Sequence, residues 1–244
     1  MNKLAIQSYC LRSTKENSEV AAKVNELGLD GIELCGVHVD FNDESKFDEV
    51  IGIYGDAGVQ IVSIGVERFA DDETRERKLC EFAKKAGAKQ ISADFAIDRV
   101  PDAYRTAERL AEEYDLKLAI HNHGGQHWMG CNDVLDNAFK NSNDRIGLCL
   151  DTAWAMHSHA DPVKMCEQFA DRLYGVHIKD FVFDRSGTPT DVVVGEGNLD
   201  LETLQTVLSD GEFEGYAVLE YEGDVNDPLP ALKNCVAAVR EHMV

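Results

Sequence analysis

The chain has 244 residues, 44% of them hydrophobic, and its 24 basic against 45 acidic side chains leave a formal net charge of −21. That surface repels phosphate backbones and anionic lipid headgroups, which argues against nucleic acid or a membrane as partner. No stretch approaches the ~18 consecutive apolar residues of a membrane helix, and the interrupted N-terminal MNKLAIQSYCLRSTKE does not read as a secretory signal, so a cytoplasmic location is expected.

In chain order, short apolar runs alternate with charged, helix-periodic segments. LAIQSY (4–9) precedes NSEVAAKVNELG, and GIEL (31–34) is followed by VQIVSIGV (59–66) and the helical DDETRERKLCEFAKKAG. KQISAD (89–94) leads to PDAYRTAERLAEEY, which opens on a Pro-Asp helix-entry signal at 101–102. Then come KLAIHN (117–122), IGLCLD (146–151), DPVKMCEQFADR with its Asp-Pro at 161–162, YGVHIKD (174–180), one long loop at 181–199, and YAVLEY (216–221). Runs of this length, rich in Val, Ile and Leu, predict buried parallel strands. The phrases ELGLDGIEL, DAGVQIVSI and KAGAKQISA share one grammar of helix end, glycine turn and strand, with Gly28, Gly58 and Gly87 as the stops. Eight strand–helix units of about thirty residues each predict a closed (β/α)8 TIM barrel, one domain over 1–244. No G-x-G-x-x-G follows the first strand, which disfavours a dinucleotide fold. Seven cysteines, an odd number with no C-x-x-C pair, argue against a disulfide framework or a zinc ribbon; Cys35 and Cys149 read as small core residues.

In a parallel barrel the chemistry sits where the strands end. Here the predicted strand ends carry Glu33, Asp94, His121 and His123, Asp151, His177 and Lys179, and Glu220 and Glu222. Alternate strand residues share a face, so 121/123, 177/179 and 220/222 can each direct two polar groups inward. One inward polar residue is usually a satisfied core group, and Asp151 alone could cap the next turn. Convergence from four neighbouring strands points instead to a divalent-cation site at His121, Asp151, His177 and Glu220, because paired buried carboxylates are costly without a cation.

The motifs LAIHNHGG, LCLDTAWAMHSHADP, YGVHIKDF, VVVGEGNLDL and AVLEYEGD together resemble the xylose isomerase-like barrel superfamily of sugar phosphate isomerases and epimerases; in the N-terminal half the best match is LGLDGIEL. The resemblance implies a divalent metal (Mn2+, Mg2+, Co2+ or Zn2+) held by Glu, Asp, His and Glu from strands 5 to 8. Asp151, His177 and Glu220 match the last three, and His121 stands where the first glutamate would. It further implies an isomerase or epimerase moving a proton next to the carbonyl of a keto-sugar, with Glu220 as base on one face. With that glutamate missing, the other face falls to His121 or His123, and an inosose-type keto-polyol dehydratase is the alternative; a non-catalytic sugar-binding barrel is a separate, less favoured one. A DNA-repair nuclease of the same superfamily is disfavoured by the charge.

Lys179 is expected to hold a substrate oxygen or to pair with Asp180 or Glu222. Glu33, His127 and Trp154 are expected to meet substrate, Glu33 with the alternative of a structural acceptor and Trp154 of packing. Trp154 replaces the histidine that many family members carry three residues after the strand 6 aspartate. His157 and His159 are expected to face solvent. The motifs hold no Arg/Lys cluster, which favours a non-phosphorylated carbohydrate as partner, and a homo-oligomer is compatible with the resemblance.

Overall fold

The computed structural model describes residues 3–242; the outermost residues of the expected domain, 1–2 and 243–244, lie outside that range. β1 (Leu4–Gln7), β2 (Gly31–Leu34), β3 (Gln60–Phe69), β4 (Gln90–Phe95), β5 (Lys117–His121), β6 (Ile146–Asp151), β7 (Leu173–Ile178) and β10 (Ala217–Leu219) close a parallel barrel in the order β1-β10-β7-β6-β5-β4-β3-β2. Around it run α1 (Asn17–Glu26), α2 (Phe47–Asp56), α3 (Glu73–Ala86), α4 (Asp102–Tyr114), α5 (Asn132–Lys140), α6 (Thr152–His157), α7 (Pro162–Gln168), α8 (Leu201–Asp210) and α9 (Leu229–His242). The strands fall on the eight predicted runs. β3 continues to Phe69, past its predicted end at 66, with a register irregularity between Ile64 and Glu67 against β4. Gly28, Gly58 and Gly87 all have positive φ (70°, 73° and 81°), the left-handed conformation that lets a helix stop and the chain turn into the next strand.

Strand residues divide by parity. Ile6, Leu34, Ile91, Ile120, Leu150, Val176 and Leu219 join the helices in one large hydrophobic cluster. The other parity is small or polar and equally buried: Gln7, Glu33, Ser92, His121, Asp151, His177 and Glu220. Barrel interiors are more often filled by branched apolar side chains. Here the upper interior is a polar chamber, and every group in it needs a partner.

The segment read as the long loop 181–199 is in large part a two-stranded antiparallel hairpin, β8 (Asp180–Phe183) with β9 (Pro189–Val192). Asp180 anchors the turn that follows. Its fully buried carboxylate accepts four backbone N–H groups, from Gly195 and Gly197 on Oδ2 and from Asn198 and Leu199 on Oδ1, at 2.9–3.0 Å. At Gly197 an added Cβ would lie 2.3 Å from Asp180 Oδ1, so only glycine lets the chain wrap this closely. Among the described residues no helix is long and apolar enough to cross a membrane.

Candidate metal centre

Four of the predicted residues meet at the C-terminal mouth. His121 ends β5, Asp151 ends β6, His177 lies near the end of β7, and Glu220 follows β10, where its N–H still bonds to Ile178 O. Each offers a ligand atom, and the four atoms all lie within 4.8 Å of one another. His121 Nε2 is 3.1 Å from His177 Nδ1, 3.4 Å from Asp151 Oδ2 and 3.8 Å from Glu220 Oε2, and His177 Nδ1 is 3.2 Å from Glu220 Oε2. A cation bonded at about 2.0–2.2 Å to tetrahedral donors separates those donors by about 3.3–3.6 Å. The four spacings given above bracket that range.

The donor chemistry also fits a cation. Asp151 divides its carboxylate: Oδ1 accepts from Trp154 N at 2.8 Å and caps α6, while Oδ2 is buried and has no hydrogen-bond partner. Capping and ligation, weighed as alternatives from the sequence, are compatible at one residue. Positive charge is drawn to the cluster. Burial works against a charged His121, but the Asp151 and Glu220 carboxylates beside its Nε2 lift its pKa to about 9. Burial would raise Glu220, but Lys179 and the two imidazoles hold it well below the usual carboxylate range.

The ends of β5 and β6 are clamped by a residue that sequence reasoning missed. Asn122 Nδ2 donates to Asp151 O at 2.9 Å, and Asn122 Oδ1 accepts from Asp151 N at 2.8 Å. The amide thus mimics a strand edge and carries the pairing past the end of the ladder.

Beneath the cluster lies Glu33. Its side chain is fully buried and lines no part of the cavity, so it takes the structural alternative rather than a place beside substrate. It accepts from Gln7, Ser63 and Ser92, and its Oε1 is 3.0 Å from His177 Nε2. Lys179 is likewise buried behind the cluster. Its ammonium pairs with Glu222, lies 3.7 Å from Asp191 Oδ2 and 3.8 Å from Glu220 Oε2, and sits over the Trp154 and Phe181 rings. Of the two carboxylates expected as its partners, Glu222 is found and Asp180 is turned away to the glycine loop. Burial opposes the Lys179 charge, but the surrounding carboxylates more than offset this. Asp191 comes from the hairpin, where it stands opposite Phe181. Burial raises its pKa to about 7, against the pull of Lys179.

Above the cluster opens a cavity of about 480 Å³. Tyr9, Val37 and Glu67 line one side, and His121, His123, Trp154, Glu220 and Glu222 the other. Burial, reinforced by His121 and His127, pushes the His123 pKa down to about 3, so this ring is neutral. His127 does not line the cavity. It forms a second group with His123 and Asp94, its Nε2 3.4 Å from Asp94 Oδ1. His127 Nδ1 accepts from Met129 N, so a neutral His127 carries its proton on Nε2, toward Asp94. That tautomer suits a clamp on Asp94 rather than a cation ligand. His159 faces solvent as expected, whereas His157 is half-buried against Trp154, with Gly124 and Gly125 packed over it.

The xylose isomerase-like TIM barrel family matches over residues 21–241. Curated relatives include the rhizopine catabolism protein MocC of Rhizobium meliloti, 30% identical over 138 residues (51% of this chain, 42% of that protein). Another is the inosose dehydratase of Clostridium beijerinckii, 27% identical over 150 residues (54% of this chain, 48% of that protein). The chain thus spans about half the length of the curated relatives it matches. Three crystal structures share the fold at 16–17% identity. The probable 3-DHS dehydratase AsbF of Bacillus anthracis has a TM-score of 0.78 (98% of both chains covered). The 3-keto-D-glucoside 4-epimerase YcjR of E. coli has 0.75 (98% and 99%), and IOLI protein with a zinc atom 0.76 (99% of both).

Proposed function

The chain belongs to the xylose isomerase-like TIM barrel family, and from that premise we propose that it is a divalent-cation-dependent enzyme that removes a proton next to the carbonyl of an uncharged keto-polyol or keto-sugar. The preferred outcome is loss of the neighbouring hydroxyl. His121, Asp151, His177 and Glu220 would hold the cation. A bound divalent cation polarises the carbonyl and lowers the cost of removing the adjacent proton.

The carrying observation is that Glu220 is the one cluster carboxylate lining the cavity, with an imidazole, His121, where the resemblance noted in the sequence implies another glutamate. Lys179 and the two imidazoles keep Glu220 ionised, ready to accept a proton. The glutamate can then return that proton to the departing β-hydroxyl, so that the substrate loses one water and gains a C=C bond with no other reactant. A single base suffices for this. Epimerisation needs groups on both faces, and the candidates for the far face are His121 and His123. The named activity of the dehydratase relative supports elimination, and that of the epimerase neighbour keeps epimerisation as the second reading. The substrate is read as uncharged because no Lys or Arg lines the cavity among the described residues, so a phosphate or carboxylate would be desolvated without a partner.

The test is incubation of the metal-loaded protein in D2O with keto-inositols, keto-sugars and their phosphates. Elimination gives a rising ultraviolet absorbance, and epimerisation gives solvent deuterium at the α-carbon with no absorbance change. Glu220→Gln should lower either rate by about 10²-fold or more. Absence of both signals across the panel would dismiss the enzymatic reading.

A further inference from the structure

We propose that Glu33, at the far side of the barrel interior, is the positioning residue that makes His177 a cation ligand through Nδ1. The inference rests on the reading of His121, Asp151, His177 and Glu220 as a cation site.

A neutral imidazole has one nitrogen that donates and one that accepts, and the partner of the first decides which is free. In His177, Nδ1 faces the cluster, 3.2 Å from Glu220 Oε2, and Nε2 faces Glu33 Oε1 at 3.0 Å. Glu33 is an acceptor held in place from three other strands. Gln7 of β1 donates to Oε1 at 2.6 Å, and Ser63 of β3 and Ser92 of β4 donate to Oε2 at 2.5 and 2.9 Å. All three donors are buried. A carboxylate fixed in this way can take the His177 proton contact only at Nε2, which leaves the Nδ1 lone pair directed at the cluster. Hydrogen-bonded carboxylates of this kind orient metal-ligating histidines, and their loss typically costs about 10–100-fold in metal affinity. The chain therefore uses β1–β4, which supply no ligand, to set the one imidazole of β7.

The test is calorimetric titration of metal-free protein with Zn2+ and Co2+. Wild type should bind one cation per chain, Glu33→Ala should bind about 10–100-fold more weakly, and Glu33→Gln, whose amide oxygen still accepts, should recover most of the affinity. The ligand-field absorption of bound Co2+ should shift in Glu33→Ala and return toward wild type in Glu33→Gln. Equal affinity in wild type and a folded Glu33→Ala would overturn the proposal, and no cation uptake by wild type would overturn the cation site itself. Should Glu33→Ala fail to fold, 15N spectra of the zinc-loaded wild type decide the matter. His177 should show a protonated Nε2 and a ligating Nδ1, and the reverse assignment sinks the proposal.

Discussion

The two imidazoles of the cluster are supported unequally. His177 has a carboxylate 3.0 Å behind Nε2, whereas the carboxylates closest to His121, Asp151 and Glu220, lie on its cluster-facing Nε2. An unbacked imidazole is a weaker and more mobile ligand. His177→Ala is therefore expected to weaken Zn2+ binding at least tenfold more than His121→Ala, as read by titration against a competing chelator; equal losses would remove the distinction. At this scale the sequence was informative where parity governs. The spacings 121/123, 177/179 and 220/222 put His121, His177 and Glu220 into one cluster, and His123 and Glu222 onto the cavity above it. Parity says nothing of what lies behind a side chain. A substrate role for Lys179 therefore stood beside the ion pair with Glu222 that is found, and Asn122, between two histidines, drew no reading although it clamps two strands.

The hairpin of β8 and β9 was not legible, because its strands are only four residues each and PTDV carries no apolar alternation. It nevertheless delivers Asp191 to Lys179 and, through Phe181, an edge contact to Trp154 with ring centroids 4.9 Å apart. Its footing is Asp180. A signal for this was present in the sequence, since a glycine-rich turn such as GEGN exposes consecutive N–H groups that need an acceptor. Asp180→Ala should cost about 3 kcal/mol or more, because it strands several buried N–H groups. Gly197→Ala should cost about 1–3 kcal/mol by overpacking. Denaturant unfolding measures both, and hydrogen exchange should show lost protection centred on residues 195–199. Protection retained there in Asp180→Ala would mean that the turn is held by something else.

For the molecule as a whole, the strand count, strand positions and closed topology followed from periodicity and glycine stops, since both reflect local backbone physics. The polar filling of the upper barrel did not follow, because Gln7, Ser63 and Ser92 look unremarkable until three strands bring them to Glu33. A buried cluster of two imidazoles and two carboxylates links metal occupancy to global stability. At a free cation concentration of about 100 times Kd the folded state gains about 2.7 kcal/mol, which raises Tm by about 5–11 °C for a chain of this size. Scanning calorimetry with saturating Zn2+ and then with excess chelator should show that shift and its reversal; a Tm indifferent to both would count against a structural cation. All four cluster residues come from β5, β6, β7 and the end of β10, while Tyr9, Val37 and Glu67 on the opposite wall follow β1 and β2 or lie in β3. On the proposed reading, the reacting groups and the groups that select substrate lie on separate arcs of the ring. Drift in the arc of β1 to β3 would then exchange one substrate for another while the reactive half stays constant, provided it spares Glu33, which stands in β2 but faces His177.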